Sequence, residues 1–185
     1  MLKPAEKKDF DTIFSLMEVS FPKDEYRTRD EQLALFDRPQ YRVYLYCVEG
    51  AIRGFAAVWT LDGVCFLEHL AVDPRFRSHG IGGRILRELL ALYGGRVCLE
   101  VELPETELAV RRIGFYERLG FSLNRYPYLQ PAMSKGQNAV PLWIMTSWGC
   151  PTTRRTVSPA SAPPNASCRI CAVSTVWIPL ASAAL

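Results

Sequence analysis

The segment Glu68-His69-Leu70-Ala71-Val72-Asp73-Pro74-Arg75-Phe76-Arg77-Ser78-His79-Gly80-Ile81-Gly82 decides the fold of this chain of 185 residues. It begins inside an apolar run, residues 64–72, that is typical of a β-strand. Between residues 80 and 93 the apolar residues recur at helical spacing, and Gly94-Gly95 ends that pattern. The segment is therefore predicted to be a strand, a loop and the first turn of a helix.

The loop and the first helical turn have the features of an anion-binding site. Gly80 and Gly82 lack Cβ atoms, so a ligand can approach the main chain closely. Free N–H groups and the helix macrodipole favour an anion at a helix N-terminus. Nearby positive charges come from Arg75, Arg77, Arg84 and Arg87. The segment lacks the Gly-Lys-Ser/Thr of a P-loop and the register of G-x-G-x-x-G, so we expect a polyphosphate of another kind.

The strands on either side of this segment predict a mixed sheet. Strand-like runs at residues 41–48, 52–60 and 64–72 are joined by short turns that contain Gly, which favours an antiparallel meander. The helix at residues 80–93 then leads to a strand at residues 97–103. A strand, a crossover helix and a strand imply a parallel pair.

Further elements complete the expected order. Asp9 is predicted to cap a first helix. A second helix opens at Thr28 with a capping box and is predicted to end before Pro39. A helix at residues 105–119 precedes two last strands, near residues 121–125 and 139–146. With a short strand at residues 2–4, the order is β-α-α-β-β-β-α-β-α-β-β. The fold class is α+β, with a mixed, mostly antiparallel sheet, a central parallel pair and flanking helices.

The C-terminal part of the chain differs from the rest in composition. No Asp or Glu follows Glu117, and after Trp148 the sequence becomes rich in Ser, Ala, Pro and Thr without helical or strand periodicity. We therefore expect a folded domain over residues 1–147 and a tail over residues 148–185 that is either disordered or translated out of frame.

Bulk composition excludes several classes of function. The content of 49% hydrophobic and 22% charged residues is ordinary for a globular protein, and a net charge of +3 does not predict nucleic-acid or membrane binding. The N-terminus has no apolar signal region, and the apolar stretch 170–185 is shorter than the ~20 residues of a membrane span. We expect a cytoplasmic protein.

The cysteines indicate neither disulfides nor a metal site. Cys47, Cys65 and Cys98 of the six cysteines fall inside predicted strands, where a free thiol packs as a small apolar group. Cys168 and Cys171 form a single C-x-x-C pair, and tetrahedral zinc needs a second pair of ligands. No metal is expected.

Three motifs together resemble the GNAT family of N-acetyltransferases. They are R-x-x-G-x-G at residues 77–82, the Leu-Ala-Val strand that precedes it, and Phe-Tyr-x-x-x-Gly-Phe at residues 115–121. The resemblance extends over about residues 1–147 and includes the element order. It implies acetyl-CoA as cosubstrate and transfer of acetyl to a primary amine by direct attack in a ternary complex.

The resemblance also implies which residues bind the cosubstrate. The pantetheine arm would lie between the strands at 64–72 and 97–103, pairing with backbone groups of Leu70, Ala71 and Val72, a form of β-augmentation. A backbone N–H near Leu70 would polarise the thioester carbonyl. The pyrophosphate would be held by Arg77, Ser78, His79, Gly80, Ile81 and Gly82.

Glu68 and Tyr116 are the candidate catalytic residues. Glu68 is a carboxylate in an apolar strand, where burial is expected to raise its pKa toward neutrality and suit it as general base; the alternative is a carboxylate held in a salt bridge with Arg112 or His69. His69 is expected to pack on the other face of the strand unless a bulge intervenes. Tyr116 matches the family tyrosine that protonates the leaving thiolate; alternatively it is an aromatic residue of the core.

The identity of the acceptor stays open, and so do two alternative functions. Residues 21–27 and 126–130 are expected to bind the acceptor, which is a small-molecule amine or a peptide amine. Many GNAT sequences carry Asn-x-x-Ala where this chain has Ala109 and Arg112, so the Asn contact to the cofactor arm is missing or replaced. The chain is alternatively a CoA-binding sensor or interaction module without turnover, or a protein N-acetyltransferase. Nothing in the sequence indicates an oligomeric state.

Overall fold

A computed structural model describes residues 1–61 and 63–148, so the tail predicted beyond them lies outside the described residues. The elements in chain order are β1 Lys3–Pro4, α1 Phe10–Glu18, α2 Arg29–Ala34, β2 Tyr41–Val48, β3 Ala51–Leu61, β4 Val64–Val72, α3 Ile81–Leu92, β5 Val97–Glu102, α4 Glu107–Glu117, β6 Ser122–Gln130 and β7 Val140–Thr146. This is the predicted order.

The strands form one seven-stranded sheet with the order β1-β2-β3-β4-β5-β7-β6. Strands β4 and β5 are parallel to each other, whereas the other neighbouring pairs are antiparallel. The long connection through α3 makes the parallel arrangement possible, since a short turn joins only antiparallel neighbours. The predicted α+β class, with a central parallel pair and flanking helices, is confirmed.

The parallel ladder between β4 and β5 is short. Its registered partners are Cys65 with Val97, Phe66 with Cys98 and Leu67 with Leu99. Strand β4 continues to Val72 and β5 to Glu102, yet those residues no longer pair across the gap. The two strands therefore diverge, and their facing backbone edges are available to a ligand.

Both faces of the sheet are covered. On one face, Ala56 and Val58 of β3 join a core that includes Ile85 and Leu89 of α3. On the other face lie Phe55, Ala57 and Trp59, which alternate with them along the strand, and the buried residues of α1. Aromatic contacts extend this second core from Phe10 through Phe36 and Tyr41 to Trp59.

A β-bulge interrupts β4 at Glu68. His69 pairs with Ala57 and Leu67 pairs with Val58, so Glu68 has no partner in the register with β3. A bulge places two residues of one strand opposite one position of its neighbour and redirects their side chains. As a result, the side chains of Glu68 and His69 are both buried.

Two local predictions need correction. Asp9 is the N-cap residue of α1, as predicted, but its side chain makes no capping bond to that helix; its carboxylate instead accepts from the backbone N–H of Glu6 at 2.9 Å, closing a short 3-10 turn before the helix. The strand expected near residues 121–125 is longer than predicted, because residues 126–130 continue β6 to Gln130. The register with β7 is irregular between Asn124 and Tyr128, and β6 is the edge strand, where a proline in the ladder is tolerated.

Candidate active site

A cavity of about 520 Å³ opens where β4 and β5 diverge. Of the residues predicted from the sequence, it brings together Glu68, Leu70, Ala71, Val72, Arg77, Gly82 and Tyr116. The two strands supply its floor, α4 supplies one wall, and the segment after α1 supplies another. An extended ligand in this gap would meet unpaired backbone groups on both sides.

The N-terminus of α3 points free backbone donors toward this region. Gly80 is the N-cap, with φ at +74°, a left-handed conformation that a residue with a Cβ adopts at a cost. The first helical bond runs from the Arg84 N–H to the Gly80 carbonyl, at 3.0 Å. The amides of residues 81–83 therefore have no partner within the helix, which suits them to an anion.

Gly82 keeps the approach to these amides open. A Cβ added there would lie 3.5 Å from the Phe115 ring and 3.8 Å from Val72, which is ordinary contact. The protein itself therefore tolerates a small side chain at this position. A larger one would extend into the cavity that Gly82 lines.

The loop before α3 supplies fewer side chains to the cavity than the sequence predicted. Arg77, Ser78 and His79 are exposed or nearly so, and the His79 ring is bound through Nδ1 to the Arg77 carbonyl at 2.8 Å. The Ile81 side chain is buried in the core, so only its amide is available to a ligand. Arg75 pairs with Asp73 instead, with Nη2 2.8 Å from Oδ2.

The pKa expected for Glu68 was wrong. Burial by itself raises the pKa of this carboxyl, as predicted, but Arg27 Nη1 lies 2.9 Å from its Oε1 and His69 lies beside it. These contacts outweigh burial and lower the pKa of Glu68 to about 2. The side chains of Arg27 and Glu68 are 2% and 0% exposed, so this is a buried ion pair with an unexpected partner.

Glu100 has the electrostatic character that was expected of Glu68. It lies on β5 at the edge of the same cavity. Burial raises the pKa of the Glu100 carboxyl to about 7, and the negative charges of Glu68 and Glu25 add to that shift. Hydrogen bonding from Tyr128 opposes this rise in pKa, and so does hydrogen bonding from Gln130, whose Nε2 donates to Oε2 at 2.8 Å. A carboxylate with this pKa accepts a proton readily near neutral pH.

Tyr116 lies between the core and the cavity. Its ring makes edge contacts with Phe115 and Phe121, with centroids 5.2 and 5.8 Å away, and it is 8% exposed. Burial raises its pKa to about 12, so the phenol keeps its proton at neutral pH. The two interpretations of Tyr116 are thus compatible, since the ring packs in the core while the residue lines the cavity.

The segment after α1 is held firmly against β4. His69 Nε2–H donates to the Glu25 carbonyl at 2.8 Å, and the His69 ring packs on Phe21 at 4.8 Å between centroids. Gln137 Nε2 contacts the carbonyls of Lys23 and Tyr26, each at 2.7 Å. Gln137 therefore ties the segment after α1 to the β6–β7 connection, which follows residues 126–130, the other segment expected to bind the acceptor.

Sequence reasoning missed Glu100 and the role of Arg27. A signal for Glu100 was present: Glu100 and Glu102 alternate with Leu99 and Val101, which puts two carboxylates on one face of a strand that borders the predicted opening. For Arg27 no local pattern existed, because its partner is 41 residues away in sequence. Arg112, one of the partners considered for Glu68, pairs with Glu102 at 2.7 Å instead.

The described residues contain neither a candidate metal centre nor a candidate membrane-spanning helix. Within residues 1–61 and 63–148, no group of three or more His, Cys, Asp or Glu side chains is placed to hold a metal ion. No helix in that part of the chain combines the length and apolarity needed to cross a membrane. The strand cysteines Cys47, Cys65 and Cys98 are free thiols, as expected.

Comparison with protein families gives one match over most of this domain. The model described as the acetyltransferase (GNAT) family matches residues 10–121. An uncharacterized protein of Mycobacterium leprae is 36% identical over 105 residues, an alignment that covers 51% of this chain. The chain spans 29% of the length of that relative.

Solved structures of the same fold extend the comparison. A Bacteroides thetaiotaomicron protein described as a GNAT-family acetyltransferase is 31% identical with a TM-score of 0.72, covering 81% of this chain and 88% of that one. The ribosomal-protein-S18-alanine N-acetyltransferase of Escherichia coli is 20% identical with a TM-score of 0.59, covering 82% and 97%. An aminoglycoside 6'-N-acetyltransferase complexed with coenzyme A is 16% identical with a TM-score of 0.57, covering 82% and 99%. The last two share the fold.

Proposed function

This chain belongs to the GNAT acetyltransferase family, and from that premise we propose that it transfers acetyl from acetyl-CoA to a primary amine by direct attack in a ternary complex. The observation that carries the proposal is the gap between β4 and β5, which opens beside the free amides of α3 and contains carboxylates. Acetyl-CoA is the cosubstrate of the family.

The cosubstrate would bind along the β4 edge. Backbone groups of Leu70, Ala71 and Val72 pair with the pantetheine arm, and the Leu70 N–H polarises the thioester carbonyl, a contact of a kind typically worth ~3–4 kcal/mol in the transition state. The pyrophosphate rests on the amides of residues 81–83, with Arg77 nearby. The availability of these edges to a ligand supports this arrangement.

The acceptor must lose a proton before it attacks, because an alkylammonium of pKa ~10 has no lone pair. Glu68 was the first candidate for the base, but a carboxylate of pKa about 2 paired with Arg27 is a weak proton acceptor. We therefore assign the base role to Glu100, whose pKa of about 7 matches neutral conditions. Glu68 then acts on Glu100 by its charge and holds Arg27.

Tyr116 is assigned the role of stabilising the CoA thiolate as it leaves. As the C–N bond forms and the C–S bond breaks, the second proton of the nitrogen passes to the departing thiolate and Glu100 releases the first proton to solvent, so the products are the amide and the CoA thiol. The Tyr116 phenol, with a pKa of about 12, donates a hydrogen bond to the thiolate. A thiolate with a conjugate pKa of ~8.5 is the weaker base, so stabilisation is favoured over complete proton transfer.

The acceptor is a small-molecule amine or a peptide amine. The names of the solved relatives include both kinds, an aminoglycoside and an alanine of a ribosomal protein. The alternative, a CoA-binding module without turnover, is disfavoured by Glu100 and Tyr116 lining one cavity with a usable base and a protonated phenol.

The test is release of CoA thiol from acetyl-CoA in the presence of a panel of monoamines, diamines, aminoglycosides and peptide N-termini, with acetylated products identified by mass. We expect amine-dependent thiol release by the wild type and by Glu105→Gln, an exposed control on the loop before α4. Tight CoA binding without amine-dependent release by any member of the panel would support the non-catalytic module.

A further inference from the structure

The glutamates of the cavity are unequally neutralised. Glu25, Glu68, Glu100 and Glu102 all line it. Arg27 pairs with Glu68 at 2.9 Å and Arg112 pairs with Glu102 at 2.7 Å. Within the described part of the chain, neither Glu25 nor Glu100 has an Arg or Lys at ion-pair distance. Glu25 and Glu100 therefore line the cavity without a directly paired Arg or Lys, and the charge of Arg112 reaches Glu25 only from its pair with Glu102.

These charges are close enough to affect one another. The charge of Glu25 contributes to the raised pKa of Glu100, and Glu25 itself has a raised pKa through burial and the charge of Glu102. A cation bound between them would remove that repulsion, since opposite charge favours the ionised carboxylate.

Gln130 indicates that the missing partner is a hydrogen-bond donor. It lines the same cavity and is 8% exposed, and its Nε2 is bound to Glu100 at 2.8 Å. Its Oε1 is buried and has no hydrogen-bond partner among the described residues. A buried acceptor without a donor is costly, so an N–H of a bound molecule would be favoured beside Glu100.

The surroundings of Glu25 restrict the size of that molecule. The segment that carries Glu25 is bound to the β6–β7 connection by Gln137, and Asn138 Nδ2 lies 3.2 Å from Asp24 Oδ2. Gln130 is the last residue of β6 and directly precedes that connection. The contacts therefore hold together the chain segments next to Glu25 and Gln130, which favours an acceptor small enough to bind without separating them.

We propose that the acceptor is a small diamine, with one amino group reacting beside Glu100 and Gln130 while the second remains an ammonium opposite Glu25. This inference rests on the proposed function. The reacting nitrogen gives one proton to Glu100 and attacks the thioester carbon. The second nitrogen keeps its charge throughout, so its attraction to Glu25 lowers the energy of bound substrate and transition state alike.

The test compares 1,5-diaminopentane with pentylamine, which has the same chain and one amino group. Hydrogen bonds to charged groups are strong enough that we expect kcat/KM at least roughly tenfold higher for the diamine. Glu25→Gln should bring the ratio of the two kcat/KM values toward one, mainly by raising KM for the diamine. Glu18→Gln, an exposed carboxylate at the end of α1, should keep the ratio of the wild type.

Each outcome has a distinct meaning. Equal kcat/KM for the two amines in the wild type, or a ratio unchanged in a folded Glu25→Gln, would overturn diamine selection and leave the proposed function standing. A lysine-containing tripeptide used tenfold better than the diamine would overturn the choice of a small acceptor. Turnover of no amine at all, with CoA still bound, would overturn the proposed function and this inference together.

Discussion

The assignment of Glu100 as general base makes a quantitative prediction about pH. A base acts in its ionised form, so activity rises as pH increases through its pKa, which is about 7 for Glu100. At pH 6 about one tenth of such a group is ionised, and at pH 8 about nine tenths. If Glu68 were the base, its pKa of about 2 would produce no change across this range.

The perturbation is Glu100→Gln, which keeps the shape of the side chain and removes its basicity. Loss of a general base typically lowers the rate by ~10²–10⁴-fold. The acceptor amine also becomes more reactive as pH rises, so the informative quantity is the ratio of wild-type to variant kcat/KM with one amine. That ratio should increase roughly tenfold between pH 6 and pH 8, a change that follows from ionisation of a single group.

The assay is thiol release at saturating acetyl-CoA from pH 5.5 to 9, with CoA affinity and thermal midpoint measured for each variant. Glu105→Gln serves as the control because it removes a carboxylate that is exposed and outside the cavity. A ratio that does not depend on pH, or a Glu100→Gln enzyme with wild-type activity at pH 7, would refute the assignment.

Three further substitutions and one truncation test the site and the domain boundary. Glu68→Gln leaves Arg27 buried without a counter-charge and should lower the free energy of unfolding by ~3–5 kcal/mol in urea denaturation. The folded-state pKa of Glu68 is lowered from 4.5 to about 2, so the difference in stability between wild type and variant should be full above pH 5 and should shrink as the pH falls from 5 toward 2. A variant as stable as wild type would contradict the ion pair. Tyr116→Phe should reduce kcat modestly and leave CoA affinity nearly unchanged in calorimetry, whereas loss of CoA binding would indicate a purely structural role. Gly82→Val should weaken CoA binding by roughly tenfold or more, about 1.4 kcal/mol, by calorimetry; unchanged affinity would remove the basis for the phosphate site. A chain cut after Ser147 should keep its thermal midpoint and CoA affinity, and a large loss of either would show that the tail is needed.

Much of the fold was predictable because its determinants are local. The capping box at Thr28 is present, with the Thr28 N–H bound to Glu31 at 3.0 Å, and α3 begins and ends within a residue of its predicted limits. Strand β4 has its predicted bounds. These elements follow from glycine positions, capping and apolar periodicity over a few residues.

The electrostatics of the site were not predictable in the same way. The pKa of Glu68 depends on Arg27, which reaches it from a loop before α2, and on a bulge that no periodicity indicates. A single strand sequence specifies that a carboxylate is buried, and burial alone raises a pKa. The sign of the shift is decided by tertiary neighbours, here a guanidinium for Glu68 and further carboxylates for Glu100.

The brevity of the β4–β5 ladder has a mechanical consequence. Strands β1–β4 and strands β5–β7 form two half-sheets that are joined edge to edge over only three residue pairs, Cys65–Val97, Phe66–Cys98 and Leu67–Leu99. Beyond Leu67 and Leu99 nothing in the ladder opposes a change in the angle between the halves. A molecule bound in the gap to both the β4 edge and the residues of β5 would link the two halves beyond Leu67 and Leu99, so the proposed cosubstrate would also limit changes in that angle.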